Sequence, residues 1–365
     1  GHRDVGFGYR GRQMNSFFFL FCAALLAACA PVADGGVATS ATYQQVGEIE
    51  VTDSALTALI AADVKGEILA TGYKWSEGPV WTADKSITGD GFVLFSDVPG
   101  NVMYRWDAAG GASEYLNPSG SLPTPELREP GTNGLIPSSK KGHILAGDHG
   151  NRAIMEINLA TKAKTVIADR FNGKRFSSPN DLVLATSGDL YFTDPPYGFA
   201  KADASPLKEQ PVNGVYRRTR DGTVTLIEGG LTRPNGIALS PDETRLYVAN
   251  SDPARSIWMV YDRARDGSIS NGRLFYDATA LVGASNPGLP DGLKTDIYGN
   301  VFATGPGGVM IFSPAAKLLG IIRVGGPVAN VTFGGPNRET LFLTAQSRLI
   351  RIKTKTKGYQ NIGQR

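Results

Sequence analysis

Residues 233–250 read "RPNGIALSPDETRLYVAN". A Pro-Asn-Gly turn leads into a short apolar run, a Ser-Pro-Asp turn and a second, alternating run. Two short runs joined by a tight polar turn read as a β-hairpin. Asn before Gly suits a turn, because Asn tolerates the left-handed conformation and Gly costs nothing there. Taken alone, Asn235 and Gly236 are turn residues. The pattern, however, recurs. "EGPVWTADKSITGDGFVLFSD" begins at Glu77, "TNGLIPSSKKGHILAGD" at Thr132 and "PNDLVLATSGDLYFTDPP" at Pro179. "PDGLKTDIYGNVFATGPGG" begins at Pro290 and "ANVTFGGPNRETLFLTAQ" at Ala329.

Each copy is followed by a further strand pair, such as "AIMEINLATKAKTVI" or "GVMIFSPAAKLLGIIRV". Units of four short strands repeating about every 40 to 55 residues are β-propeller blades. The expected fold is therefore all-β, a six-bladed β-propeller with four-stranded blades, over residues 43–358, with a C-terminal tail at 359–365. In "DLYFTD", Leu190 and Phe192 should face one way and Tyr191 and Thr193 the other. The ring needs its last blade completed, so either Tyr43–Val51 or Gly66–Tyr73 is expected to pair with the C-terminal strands. Ser54–Val64 reads as a short helix or an outer strand.

The composition agrees. Gly numbers 45 and Pro 22 in 365 residues, which supplies many turns. The net charge of +3 comes without a basic tract, so nucleic acid is not an expected partner. Phe17–Ala28 is an apolar run preceded by Arg10 and Arg12, too short to span a bilayer and placed as in a signal peptide. "LAAC" at 26–29 is similar to a lipobox. Residues 1–28 are thus expected to be a lipoprotein-type signal peptide and 29–42 a linker. The mature chain would be exported to the periplasm and held at the outer membrane by a lipid on Cys29. Cys22 and Cys29 are the two cysteines, so neither a disulfide framework nor a cysteine metal site is expected in the body. A closed propeller is self-contained, which favours a monomer.

In a propeller the innermost strand of each blade lines the central channel. The six repeat positions Glu77, Asn133, Asn180, Asn235, Asp291 and Asn330 therefore converge on one axis. All six carry a side-chain carbonyl or carboxylate oxygen, and Glu is a poor turn residue. Convergent oxygens suit a hard divalent cation, calcium first, with zinc, manganese or magnesium as alternatives. Three histidines in the chain are too few for a histidine-based zinc site.

"EGPVW", "SPNDLVL", "YFTDPPYG", "RPNGIALSPD" and "PDGLKTD" together resemble the SMP-30/gluconolactonase/LRE family of six-bladed propellers, bacterial gluconolactonases above all. The resemblance implies that Glu77, Asn180, Asn235 and Asp291 are the metal ligands, with Asn133 and Asn330 at the rim or behind the ligands. It implies hydrolysis of a sugar lactone or similar small lactone by water attack on a metal-polarised carbonyl. Asp291 is the expected catalytic base. If Asp291 only orients the water, Asp148 or His149 would act. Substrate contacts are expected from Asn133, Asp148, His149, Arg152 and Tyr197. Asn250 is a rim position better explained by packing. Residues 199–213 read as a lid or as a solvated loop. A metal-dependent esterase or phosphotriesterase on the same site, or a non-catalytic periplasmic scaffold, are the competing functions.

Overall fold

The computed structural model describes residues 42–83 and 91–360. The expected signal-peptide segment, Cys29 as the expected lipidation site, all of the 29–42 linker but its last residue, and residues 361–365 of the tail lie outside the described residues.

Six antiparallel sheets stand around one axis, and the inner strand of each lies beside the inner strand of the next. Blade one runs outward through Ser76–Thr82, Phe92–Asp97, Val102–Asp107 and Gly111–Leu116. Blade two uses Thr132–Pro137, His143–Asp148, Ala153–Asn158 and Lys164–Ala168. Blade three uses Leu182–Leu184, Leu190–Asp194, Gly214–Arg218 and Val224–Glu228. Blade four uses Pro234–Leu239, Arg245–Asp252, Arg255–Arg263 and Ile269–Asp277. Blade five has Leu293–Thr295, Val301–Gly305, Gly308–Phe312 and Leu318–Arg323, and blade six has Asn330–Gly334, Thr340–Ala345 and Arg348–Lys353.

Both segments considered for closure are used. Gly66–Thr71 pairs antiparallel with Arg348–Lys353 and is the fourth strand of blade six. Gln44–Val46 adds a fifth strand outside it, while Glu48–Val51 adds a fifth strand to blade five. Between them Ser54–Ala58 is a 3-10 helix, whose first turn is capped where Asp53 Oδ1 accepts from Ala55 N at 2.9 Å. Leu56 and Ile60 from this connection are fully buried among Phe302, Ile311, Leu341 and Ile350, which welds the two outer strands to blades five and six.

The predicted alternation explains the packing between blades. Leu190 and Phe192 join Ile136, Leu145 and Ile154 of blade two. Tyr191, on the opposite face, joins Ile237, Leu246 and Val248 of blade four. Each sheet is thus apolar on both faces. Burying a large aliphatic side chain is worth roughly 1.5–3 kcal/mol, so this blade-to-blade packing is the main term holding the ring together.

Residues 199–213 are tied down rather than free to swing as a lid, with seven of the fifteen residues exposed to solvent. Phe199 is fully buried, Gln210 Nε2 donates to Phe171 O and Lys174 O at 3.1 and 2.7 Å, and Asn213 Nδ2 donates to Thr232 O at 2.9 Å. The segment is hydrogen-bonded across its length to blades two to four.

Candidate functional site: an oxygen-lined mouth of the channel

The inner strands do not enter the channel as plain strands. In blade four, Pro234 pairs with Asn250 and Ile237 with Val248, so two residues, Asn235 and Gly236, oppose one. Blade two has the same shift at Asn133 and Gly134, and blade one at Gly78 and Pro79. A bulge of this kind turns a side chain out of the ladder and bends the strand. It leaves the preceding or bulged polar residue at the channel mouth.

Gly78, after Glu77, takes the left-handed conformation (φ +51), but the glycines after Asn133, Asn235 and Asp291 answer a different need from the one a turn would impose. Gly134, Gly236 and Gly292 lie outside the left-handed region. A Cβ on Gly236 would sit 2.0 Å from the carbonyl oxygen of Asp291 in the next blade. On Gly134 it would sit 2.6 Å from Asn180 O, and on Gly292 1.9 Å from the Asn330 side chain. The glycines allow one blade's backbone to touch the next blade's ring residue. Hydroxyls tighten the same seam: Ser96 Oγ donates to Asn133 O at 2.9 Å and Thr193 Oγ1 to Asn235 O at 2.6 Å. Gly236 is therefore a contact residue, and the reading of Asn-Gly here as turn chemistry is corrected.

Glu77, Asn133, Asn180, Tyr197, Asn235 and Asp291 line one cavity of about 830 Å³ at this end of the channel. Lys74, Arg128, Glu129 and Arg233 also border it. Asn133 Oδ1, Asn180 Oδ1, Asn235 Oδ1 and Asp291 Oδ1 are all buried and accept no hydrogen bond. A buried polar atom left without a partner costs about 1–3 kcal/mol, so four in one place point to a missing positive charge or donor. No cluster of three or more His, Cys, Asp or Glu side chains suited to a metal exists among the described residues. A cation here would have to be held by amide oxygens together with carboxylates. Hard oxygen donors of this kind fit calcium or a similar ion.

The carboxylates carry the same message. Burial, then the neighbouring Asp181 charge, pushes the Glu77 carboxyl up to about 8, against the hydrogen bonds from Asn330 and Gly78. Burial and then Glu77 hold Asp291 well above the ordinary carboxylate range. Asn330 does not offer its oxygen to the cavity. Its Oδ1 accepts from Val331 N at 2.9 Å, and its Nδ2 donates to Glu77 Oε2 at 3.1 Å and reaches Asp181 Oδ2 at 3.4 Å. It sits behind the ring and bridges two carboxylates.

Asp181, which follows Asn180 where four of the other copies have glycine and the sixth has Val331, has no counterpart in the sequence reading. Its carboxylate is buried beneath the ring, and Oδ1 accepts from Leu182 N at 3.0 Å. A second feature also went unread. A residue at or near the end of the second strand reaches back to the segment feeding the ring. Asp97 accepts from Lys74 N and Trp75 N, three and two residues before Glu77. Asp194 accepts from Ser177 N and Ser178 N, three and two residues before Asn180. Asn250 Oδ1 accepts from Arg233 N, two residues before Asn235. The signal was the acid or amide closing "FSD", "FTD" and "YVAN".

Of the other expected contacts, Tyr197 borders the cavity and Asp148, His149 and Arg152 do not. The Tyr197 hydroxyl donates to Ser251 O at 3.2 Å. Burial pushes the phenol up to about 12. Asp148 is not used as Asp97 and Asp194 are: Pro130 has no N–H to offer, and the Gly131 N–H donates to Val98 O at 3.1 Å. Asp148 instead accepts from Asn151 N and Asn151 Nδ2 at 2.9 and 2.7 Å. Arg152 donates to Phe176 O and Leu207 O at 2.8 and 2.7 Å and lies over the Phe199 ring, fastening the 199–213 segment. His149 is fully buried directly behind Asn180.

Residues 75–347 match the family described as the SMP-30/Gluconolactonase/LRE-like region. A gluconolactonase of Zymomonas mobilis is 43% identical over 325 residues, 86% of this chain and 88% of that one. A pentonolactonase of Haloferax volcanii is 25% identical over 283 residues, 76% of this chain and 83% of the other. The solved structure of a gluconolactonase of Xanthomonas campestris superimposes with a TM-score of 0.71 at 28% identity, covering 85% of this chain and 97% of that one. With its six blades, its bulged inner strands and this match over most of its length, the chain belongs to the SMP-30/gluconolactonase/LRE-like family.

Proposed function

We propose that the chain is a lactone-hydrolysing enzyme that opens a sugar lactone or similar small lactone at the oxygen-lined mouth, with a divalent cation, calcium first. The named relatives support lactone hydrolysis. The observation that carries the site is the set of four buried, donor-less oxygens on Asn133, Asn180, Asn235 and Asp291 around one cavity. Glu77, Asn180, Asn235 and Asp291 would hold the cation. Asn133 shares their condition, so its oxygen is available to the cation or to a substrate hydroxyl. When bound, the cation supplies Lewis-acid stabilisation of the charge that develops on the lactone carbonyl oxygen.

The chain's own groups supply the proton transfers. Asp291 offers a buried carboxylate oxygen, Oδ1, to which no group of the chain donates, so it is free to accept a proton at the mouth. It takes a proton from the attacking water as the water oxygen bonds to the carbonyl carbon. It returns that proton to the ring oxygen as the ester bond breaks, giving the hydroxy acid. Tyr197 and Asn133 border the space where the sugar ring sits, and Lys74, Arg128 and Arg233 suit the carboxylate product. Gluconolactone is the assay substrate. Turnover should vanish in excess EDTA and return with added calcium. Full turnover in chelator would overturn the cation-assisted reading.

For the mature chain we also propose export and attachment through a lipid on Cys29. Radiolabelled palmitate should label the wild type and spare Cys29→Ser. Equal labelling of both would refute it.

A further inference from the structure

We infer that Glu129, His149 and Asn180 form a positioning relay that decides which end of the Asn180 side-chain amide faces the cavity. The inference rests on the reading of the ring as a cation site. An asparagine presents an oxygen at one end of its amide and two N–H donors at the other. Only the oxygen attracts a cation. The backbone of Asn180 is held by bonds that ignore this choice: its N–H donates to Thr193 O at 2.9 Å, and its carbonyl accepts from Gly134 N at 2.9 Å. The side-chain rotation needs a separate restraint.

His149 provides it. The ring is fully buried, and its backbone is fixed where His149 N donates to Gly131 O at 3.1 Å. Nε2 lies 3.3 Å from Asn180 Nδ2, and Nδ1 lies 3.1 Å from Glu129 Oε2. Asn180 Nδ2 can only donate, so Nε2 must present its lone pair. The ring hydrogen then sits on Nδ1, 3.1 Å from the Glu129 carboxylate but off the line of a hydrogen bond to it. The Glu129 charge favours that tautomer by proximity, the tautomer makes Nε2 an acceptor, and the acceptor draws in the nitrogen end of Asn180. The oxygen end is left pointing away from His149, buried and without a donor. Were the amide reversed, Nε2 would face an oxygen with no hydrogen between them. Among the described residues no side-chain bond of this kind holds the amide of Asn133 or Asn235. His149 thus acts through Asn180 and is a positioning residue.

Partners that orient a metal ligand typically contribute 10–100-fold in affinity. The test uses chelator-stripped protein titrated with calcium chloride by calorimetry. His149→Leu removes the acceptor at similar volume. Its calcium Kd should rise at least tenfold, and turnover lost at low calcium should return as calcium is raised. His149→Gln, whose side-chain oxygen can accept from Asn180 Nδ2, should recover most of the affinity. Glu129→Ala, at a cavity-lining position, tests the same relay without disturbing the buried ring and should raise Kd several-fold, even if His149→Leu fails to fold. An unchanged Kd in Glu129→Ala and in any folded His149→Leu overturns the relay alone. A turnover defect that calcium does not repair, at unchanged Kd, overturns it in favour of direct action by His149. Absence of calcium binding by the wild type overturns the cation reading, and the relay with it.

Discussion

The same six inner strands build two unlike mouths. Where they enter the channel, Glu77, Asn133, Asn180, Asn235 and Asp291 surround a cavity of about 830 Å³. A few residues further along, Val80, Leu135, Leu182, Ile237 and Phe333 border a space of about 100 Å³ closed by Tyr359 and Gln360. Symmetry brings side chains together equally well at both ends. What differs is the cost of each arrangement. Hydrocarbon at the narrow mouth is satisfied by packing, whereas oxygens at the wide mouth are buried without donors and wait for one. The narrow mouth should therefore govern stability and the wide one chemistry.

The largest expected effect breaks that division if it fails. Asp291→Ala should lower turnover on gluconolactone by about a thousandfold or more while leaving the melting temperature in chelator unchanged or raised, since a buried, repelled carboxylate has been removed. A comparable fall in thermal stability would mean that the wide mouth also holds the ring together. At the other end, Leu182→Ala should cost about 2–4 kcal/mol in denaturant unfolding. Its turnover per folded molecule should stay close to that of the wild type. A specific loss of turnover there would couple the two mouths. Asn235→Ala comes next: calorimetry should find calcium affinity reduced about 10–100-fold, with stability changed by less than about 1 kcal/mol.

A pH effect concerns a support of the wide mouth. Burial pushes Asp194 up to about 7, against the hydrogen bonds from Ser177 and Ser178. Between about pH 4 and 7 the folded protein holds a proton on this group that the unfolded chain has lost. The contribution of Asp194 is thus fully present below about pH 4 and declines as pH rises through about 7. Asp194→Asn cannot ionise, so the stability difference between variant and wild type should move in the variant's favour across that window. A flat difference would show that Asp194 is ionised in the fold.

The blades were legible because a strand pair leaves a local pattern, and six copies make it periodic. The ring residues were legible for the same reason: an oxygen-bearing side chain at every repeat position is more than turn chemistry asks. Closure was only half legible. Tyr43–Val51 and Gly66–Tyr73 were both plausible partners, and register with Arg348–Lys353 is written in neither alone. The glycines misled because their requirement is non-local. Nothing near Gly236 in sequence announces the carbonyl of Asp291 arriving from the next blade. Asp181, Glu129 and the strand-ending Asp97 and Asp194 were missed likewise, since each acts on a partner well removed in the chain.

The pairing of Ile68 with Ile350 has a consequence in time. The strand Gly66–Thr71 is among the first of the ring to be made, and its partner is among the last. Until Arg348–Lys353 arrives, the early strand has only the short Gln44–Val46 strand to pair with, and its other edge is open. Closing so long a loop is slow, and open edges in the meantime invite other chains. The final ring leaves no such edge at the seam. An intermediate lacking only the residues from Arg348 onward is therefore the species a chaperone would need to guard.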